Sequence, residues 1–201
     1  MKGEGLKIVL SGPSGSGKGT IVQELLKDGN YKLSISATTR KARTGEVDGV
    51  HYFFKTQAEF EDMIDHEQLL EYACFCNNYY GTPKAFIDET VSSGADILLE
   101  IEIQGALQVK RKYPEAIFIF IMPPTFDELK SRLKGRNTES DEVINQRLAR
   151  AREELMLFKE YDYIIINDNL QDAVDKVIAI SLTEKLKSSR YKAFIEDMLQ
   201  N

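Results

Sequence analysis

The chain has 201 residues, of which 42% are hydrophobic and 29% are charged, as is typical of one globular domain with a substantial core. Its 26 Lys and Arg residues and 32 Asp and Glu residues give a net charge of −6, which argues against a nucleic-acid partner. No apolar stretch approaches the roughly 20 residues of a membrane span, and the N-terminus lacks a signal-peptide pattern. We therefore expect a cytoplasmic protein without a membrane partner.

Five short apolar runs predict buried strands of a parallel sheet. Amphipathic helical stretches lie between several of them, and alternating strands and helices are typical of an α/β fold. The predicted strands are Lys7–Leu10, Leu33–Ser36, Ile97–Ile103, Ile117–Met122 and Tyr163–Ile166.

The interval Thr38–Gly94 is far too long for a single crossover helix. It contains short β-like pieces at His51–Phe54 and Leu70–Cys76, so we expect an insertion with structure of its own. Its cysteines, Cys74 and Cys76, lack the second ligand pair that a zinc site of about four ligands needs. We interpret them as reduced thiols in a strand.

The interval Thr125–Lys159 is charged and helical. Arg147 and Arg150 fall on the side of this pattern that faces away from its apolar stripe. The stripe consists of Ile144, Leu148, Ala151 and Leu155.

A last helical pattern follows Ser188-Ser189. We expect its apolar face either to pack on the body of the protein or to contact a second subunit, which leaves monomer and homodimer both open. That face consists of Tyr191, Phe194, Ile195, Met198 and Leu199.

A glycine-rich segment, GPSGSGKGT, follows the first apolar run and precedes a helical pattern. Glycines let the backbone wrap around phosphates, and the N–H groups at a helix N-terminus attract anions. Lys18 adds a positive charge for the β- and γ-phosphates, so we predict the phosphate-binding part of a nucleotide site. Its residues are Gly12, Pro13, Ser14, Gly15, Ser16, Gly17, Lys18, Gly19 and Thr20.

Gly19 stands where the phosphate-loop pattern has a magnesium-binding hydroxyl, and Thr20 comes one position late. The loop therefore supplies no direct ligand for Mg²⁺. Since Mg²⁺ keeps several waters and takes phosphate oxygens as ligands, we expect it to be held by nucleotide and water, with Thr20 near the α-phosphate.

Arg40 and Arg43 lie three residues apart and near Tyr52. Two guanidinium groups and a phenol make a suitable grip for a second phosphate. A solvated basic turn is the alternative interpretation.

The segment Thr38–Phe54 reads T-T-R-x-x-R-x-G-E-x-x-G-x-x-Y-x-F and resembles the signature of guanylate kinases. Further segments resemble parts of the same family in the same order, so that the resemblance covers nearly the whole chain. They are LLEYACFCNNYYGTP (Leu69–Pro83), LLEIEIQGA (Leu98–Ala106), PPTFDELKSRLKGRNTES (Pro123–Ser140) and IINDNL (Ile165–Leu170).

The resemblance implies an α/β, P-loop three-layer fold with a central five-stranded parallel sheet. It also implies a small mixed α+β GMP-binding insertion at about 36–90 and a helical lid at about 125–157. The core would span about 5–184, followed by a C-terminal helical extension at about 185–201. Insertion and lid would close on GMP and ATP respectively, to keep water from competing as acceptor.

The resemblance implies that, with Mg²⁺, ATP and GMP react to give ADP and GDP, and that dGMP is a second acceptor. Lys18, Arg40, Arg136 and Arg147 would stabilise the transferring phosphoryl group, and Arg132 and Arg150 are weaker candidates. The family's ATP-binding positions outside the glycine-rich loop correspond to Arg132, Arg136 and Asn167. Its GMP-binding positions correspond to Ser36, Arg40, Arg43, Tyr52, Glu71, Tyr80, Thr82, Glu100 and Arg147.

The chemistry of guanine agrees with these assignments. A carboxylate at Glu71 can accept from N1–H and from the N2 amino group, and hydroxyls at Ser36 and Thr82 can donate to O6. Adenine lacks the N2 donor and turns an acceptor toward the carboxylate, so such a site can reject it by about 10⁴-fold.

The chain departs from the family pattern in two places. Glu100 and Glu102 stand where two aspartates are common, and Asn137 replaces a glycine of the lid. Two other functions remain possible from the sequence. One is a non-catalytic module that binds protein ligands, which the intact Lys18 loop disfavours. The other is a kinase for a different nucleotide or a phosphorylated sugar.

Overall fold

The computed structural model describes residues 3–75, 77–135 and 141–200. In these ranges the strands are β1 (Lys7–Ser11), β2 (Tyr31–Leu33), β3 (Ala37–Thr38), β4 (Phe53–Phe54), β5 (Leu69–Phe75), β6 (Asn78–Pro83), β7 (Asp96–Glu100), β8 (Ile117–Met122) and β9 (Tyr163–Ile166). The α-helices are α1 (Lys18–Lys27), α2 (Gln57–Asp65), α3 (Lys84–Ser92), α4 (Ile103–Lys112), α5 (Phe126–Lys134), α6 (Asp141–Leu155), α7 (Leu170–Lys185) and α8 (Lys192–Gln200).

A five-stranded parallel sheet forms the centre of the molecule, in the order β2-β7-β1-β8-β9. This confirms the predicted fold class. Side chains of alternate residues point to opposite faces, so each face has its own apolar cluster. One cluster packs under α1 and α7 and includes Ile8, Leu10 and Val177. The other packs under α3 and α4 and includes Val9 and Phe118.

Two strand boundaries differ from the sequence prediction. The second strand covers Tyr31–Leu33 and not Leu33–Ser36, because the chain leaves the central sheet there and pairs at Ala37–Thr38 with β6 of another sheet. The strand predicted at Ile97–Ile103 ends at Glu100. Glu102 has an extended backbone conformation at the N-cap, and Ile103 already belongs to α4.

The insertion has a four-stranded sheet of its own, in the order β4-β3-β6-β5. Its apolar cluster is centred on Phe60 of α2, which stacks on Tyr79 with ring centroids 5.2 Å apart. Thr56 begins α2 with a capping box, in which its hydroxyl oxygen accepts from the Glu59 N–H. The piece predicted at His51–Phe54 forms a strand only over its last two residues.

The segment between β8 and β9 carries α5 and α6, which pack on one another through Leu129, Leu133, Ile144 and Ala151. The predicted stripe of α6 is thus its packing face. At the other end of the chain, the residues of α8 are all exposed, so packing of this helix on the body is not observed. Among the described residues, no helix combines the length and apolarity needed to cross a membrane.

Candidate active site

The glycine-rich loop connects β1 to α1 at the carboxyl end of the central sheet. Gly12 has a φ of +141°, and a Cβ there would lie 2.0 Å from the Ile121 carbonyl oxygen of β8. The Lys18 ammonium donates to the carbonyl oxygens of Gly12 at 2.5 Å and Pro13 at 3.2 Å. The loop thus curls back over its own lysine, with its backbone close against the neighbouring strand.

Asn167 supports the loop from the end of β9. Its buried amide Nδ2 donates to the Ser16 carbonyl oxygen at 2.8 Å. A Cβ at Gly17, where φ is +90°, would lie 2.3 Å from the same Nδ2. The Asn167 carbonyl oxygen in turn accepts from Nη2 of Arg132 at 3.0 Å. Asn167 and Arg132, both predicted as ATP-binding, therefore meet beside the loop.

Glu71 and Thr82 form a buried pair on the neighbouring strands β5 and β6. The Thr82 hydroxyl donates to Glu71 Oε1 at 2.6 Å. Burial raises the pKa of the Glu71 carboxyl, and the hydrogen bond from Thr82 opposes that shift. Ser36, the third predicted base-reading residue, lies half-buried between β2 and β3, and its carbonyl oxygen accepts from the Phe53 N–H at 2.9 Å.

The residues predicted to bind the acceptor phosphate lie around Arg40. Its guanidinium carbon lies 5.4 Å from the centre of the Tyr52 ring, and the Tyr52 and Tyr80 rings are 6.2 Å apart. The guanidinium makes two parallel hydrogen bonds to Glu46, of 2.8 and 3.0 Å. Arg43 is exposed, and its backbone N–H donates to the same carboxylate at 2.7 Å. Arg40 and Arg43 are therefore joined through Glu46.

Glu100 lies at the carboxyl end of β7, directly opposite Leu10 of β1. Its Oε1 is 3.4 Å from the position that a Cβ of Gly19 would occupy. A carboxylate thus stands next to the point where the usual loop hydroxyl is missing. Thr20 is exposed in the first turn of α1. In the part of the chain that the structure describes, no cluster of three His, Cys, Asp or Glu side chains could hold a metal ion.

The lid arginines lie in different surroundings. Arg147 Nη1 is 3.4 Å from Ser14 Oγ, so α6 reaches the glycine-rich loop. Arg150 donates to Glu154 of its own helix at 2.9 Å and to Glu102 at 2.8 Å. Arg136 and Asn137 lie outside the described residues, as does Cys76. Cys74 is exposed on β5.

Sequence reasoning missed two residues of this site. Glu46 is part of the quoted signature but was given no role. Gly105 lies in the first turn of α4, and a Cβ there would be 2.8 Å from Glu71 Oε2. A glycine inside a helical pattern, where it costs up to about 1 kcal/mol relative to alanine, is the signal that could have drawn attention to it.

A parallel sheet with a glycine-rich loop and its lysine between β1 and α1 defines a P-loop nucleotide-binding protein. A family model described as guanylate kinase matches residues 4–183. The chain belongs to the guanylate kinase family.

Individual relatives agree with this assignment. The chain is 54% identical over 187 residues to a guanylate kinase of Desulfitobacterium hafniense, covering 92% of this chain and 94% of that one. It is 52% identical to a guanylate kinase of Oceanobacillus iheyensis, with 99% of each chain covered. A crystal structure of guanylate kinase from Anaplasma phagocytophilum has 32% identity and a TM-score of 0.73, and covers 94% of this chain and 90% of that one.

Proposed function

We propose that this protein transfers the γ-phosphoryl group of ATP to GMP, giving ADP and GDP, and also to dGMP, giving ADP and dGDP. The observation that carries the choice of acceptor is the buried Glu71 carboxylate, which is hydrogen-bonded to Thr82. A buried carboxylate is costly unless it is paired, so a ligand that supplies two further N–H donors is a fitting partner.

The base would be read at Glu71, Thr82 and Ser36. The guanine N1–H and N2 amino group would donate to the Glu71 carboxylate, and the Thr82 and Ser36 hydroxyls would donate to O6. The absence of a side chain at Gly105 leaves space for Glu71 Oε2, because a Cβ at position 105 would lie 2.8 Å from that oxygen. Discrimination against adenine then follows from unpaired polar groups and not from size.

The acceptor phosphate would be gripped by the cluster of Arg40, Arg43, Tyr52 and Tyr80. This phosphate is already anionic, so transfer needs positioning and charge stabilisation more than a general base. Lys18 on the donor side would neutralise the β- and γ-phosphate oxygens. Arg147, whose guanidinium reaches Ser14 of the loop, would approach from the lid, together with Arg136.

The residues present fit a Mg²⁺ ion that arrives with ATP. Gly19 has no hydroxyl to offer, but the Glu100 carboxylate beside it can accept hydrogen bonds from metal-bound water. Such an ion supplies charge neutralisation at the phosphate oxygens. Glu100 is therefore the residue that we expect to hold the hydrated ion near the loop.

The lid and the insertion are proposed to close over the two substrates and exclude water. The ion pair of 2.8 Å between Arg150 and Glu102 already joins α6 to the start of α4. Location in the cytoplasm and an oligomeric state of one or two chains stay predictions.

A comparison of acceptors tests the proposal. ADP release should be measured with GMP, dGMP, AMP, UMP and CMP at equal concentration. GMP and dGMP should be used far better than the other three. Equal use of AMP would overturn the base-reading assignment, and no ADP release with any acceptor would favour a non-catalytic binding module.

A further inference from the structure

Arg40 is held in place by hydrogen bonds within the protein. Its Nη1 donates to Glu46 Oε2 at 3.0 Å and to the Lys41 carbonyl oxygen at 2.7 Å, while Nη2 donates to Glu46 Oε1 at 2.8 Å. These bonds use three of the five N–H donors of the guanidinium and one of its edges. The other edge takes no part in these bonds, and besides the hydrogen bonds to Glu46, one with the Tyr80 side chain also contributes to the raised pKa of Arg40.

The Glu46 carboxylate is itself fixed and not a freely moving counter-ion. Its Oε2 also accepts from the Arg43 backbone N–H at 2.7 Å, so it ties the two arginines of the signature into one turn. The side chains of Arg40 and Glu46 are only 16% and 18% exposed. The hydrogen bonds from Arg40 hold the pKa of Glu46 down to about 2, so the carboxylate stays charged across the working pH range.

Two aromatic rings lie beside the guanidinium. Its carbon lies 5.4 Å from the Tyr52 ring centre and 5.9 Å from the Phe54 ring centre. Arginine loses much rotamer freedom when it binds a ligand, and a guanidinium that is hydrogen-bonded along one edge next to two aromatic rings has already lost part of it. We propose that Glu46 is a positioning residue, which presents the remaining edge of Arg40 to the acceptor phosphate.

The carboxylate has two opposite effects on a phosphate. It fixes the guanidinium, which favours binding, and it neutralises part of the positive charge, which opposes binding. At a partly exposed site the charge effect is weakened by solvent and salt. The ordering effect is not, because it acts through hydrogen-bond geometry. Glu46 is therefore expected to favour phosphate binding on balance.

This inference rests on the proposed function, since the acceptor phosphate is that of GMP. The test compares GMP with guanosine, which has the same base and no phosphate. Dissociation constants should be measured by calorimetry, or by competition for weak ligands, for the unchanged protein, Glu46→Ala, Arg40→Ala and the double variant. Glu46→Gln keeps the side-chain volume and serves if Glu46→Ala melts at a much lower temperature.

Glu46→Ala should weaken GMP binding by about 10- to 100-fold, the same size of effect as removing the hydrogen-bond partner of a metal-ligating side chain. Guanosine binding and the KM for ATP should change by less than about twofold. In the Arg40→Ala background the second substitution should have almost no further effect, because Glu46 acts through Arg40. Glu61→Ala, at an exposed position of α2 in the same insertion, is the matched control and should behave like the unchanged protein.

Three results would overturn the inference. Equal weakening of guanosine and GMP would show that Glu46 only supports the fold of the insertion. Tighter GMP binding would show that the carboxylate competes with the phosphate. Fully additive effects of the two substitutions would show that Glu46 does not act through Arg40. Failure of the proposed function looks different, since the unchanged protein would then show no preference for GMP over AMP.

Discussion

The donor loop and the acceptor pocket differ in the part of the chain that builds them. The donor loop is made of backbone, and its side chains are mostly absent or small so that the chain can pass within contact distance of β8 and Asn167. The acceptor pocket is made of side chains that hold one another, as in the pairs Glu71–Thr82 and Arg40–Glu46. In the proposed function the loop recognises phosphate in general, whereas the pocket carries the specificity for one base.

The difference predicts two kinds of mutational sensitivity. Adding an atom should damage the loop, because there is no space for it. Removing an atom or a charge should damage the pocket, because its partners are then left unpaired. The following substitutions test this distinction, beginning with the largest expected effect.

Replacing Glu71 by Gln should lower kcat/KM for GMP by about 10³-fold. Two hydrogen bonds to a charged group are lost, each worth about 1.5–3 kcal/mol. The KM for ATP should change by less than about twofold. Steady-state kinetics with each substrate varied in turn would measure both, and a parallel loss of ATP affinity would contradict the separation of the two sites.

The pH dependence provides a control for the Glu71 variant. GMP binding needs the ionised carboxylate, so GMP affinity should fall as the pH is lowered through the raised pKa of Glu71, and Glu71→Gln should lose this dependence. In the protein without GMP, burial raises the pKa of Glu71, so that folding favours the protonated carboxyl group over the ionised one. The contribution of this group to stability is then full below its ordinary value of 4.5 and is lost as the pH rises through the raised pKa. Glu71→Gln should therefore not lower the melting temperature at pH 7.

Replacing Gly12 by Ala should destabilise the fold by about 2–5 kcal/mol, through backbone strain and overpacking. Its φ of +141° is unfavourable for alanine, and the new Cβ would meet the Ile121 carbonyl oxygen at 2.0 Å. Denaturant unfolding followed by circular dichroism measures the effect. A fully stable variant would mean that the loop has space that the structure does not show.

Replacing Asn167 by Ala should destabilise the protein by about 1–3 kcal/mol, because the Ser16 carbonyl oxygen loses its buried donor. We expect the KM for ATP to rise severalfold while GMP binding stays within about twofold. Thermal melts and calorimetric titrations would report the two quantities. Gln171→Ala, at an exposed position of α7, is the control and should change neither. A selective loss of GMP binding would contradict the assignment of Asn167 to the ATP site.

Replacing Gly19 by Ala should have the smallest effect. The new Cβ would lie 3.4 Å from Glu100 Oε1, an ordinary contact, and alanine favours the first turn of α1. Stability should stay equal or rise by up to about 1 kcal/mol. The Mg²⁺ concentration that gives half-maximal activity should not change, and a strong shift in it would show that the position itself matters for the metal.

The sequence predicted the central sheet and the loop well because both follow from local patterns. Apolar runs such as Ile117–Met122 are bounded by helices, and the glycines before Lys18 are close together in the chain. The ends of β2 and β7 were misplaced, because the chain leaves the sheet at points that depend on pairing with β6 and on the start of α4.

The acceptor pocket was less accessible to such reasoning. Glu71 and Thr82 were singled out by resemblance to a family, and nothing in their spacing of 11 residues shows that they touch. Gly105 and Glu46 escaped notice since their importance comes from contacts with Glu71 and Arg40. A local sequence pattern does not show which side chains from distant parts of the chain come into contact. For Glu71, Thr82 and Gly105, these contacts depend on the packing of β5, β6 and α4.

The contact between Gly105 and Glu71 affects the order in which substitutions at these two positions can occur during evolution. As long as Glu71 is present, a side chain at position 105 would approach its Oε2 to 2.8 Å and force it to shift, so glycine suits this position although it weakens the start of α4. If Glu71 were first replaced by a smaller residue, alanine at position 105 would become stabilising and easily fixed. A later return of glutamate at position 71 would then find its space filled. The contact of 2.8 Å thus makes the loss of guanine recognition a step that is easy to take in one direction and hard to reverse.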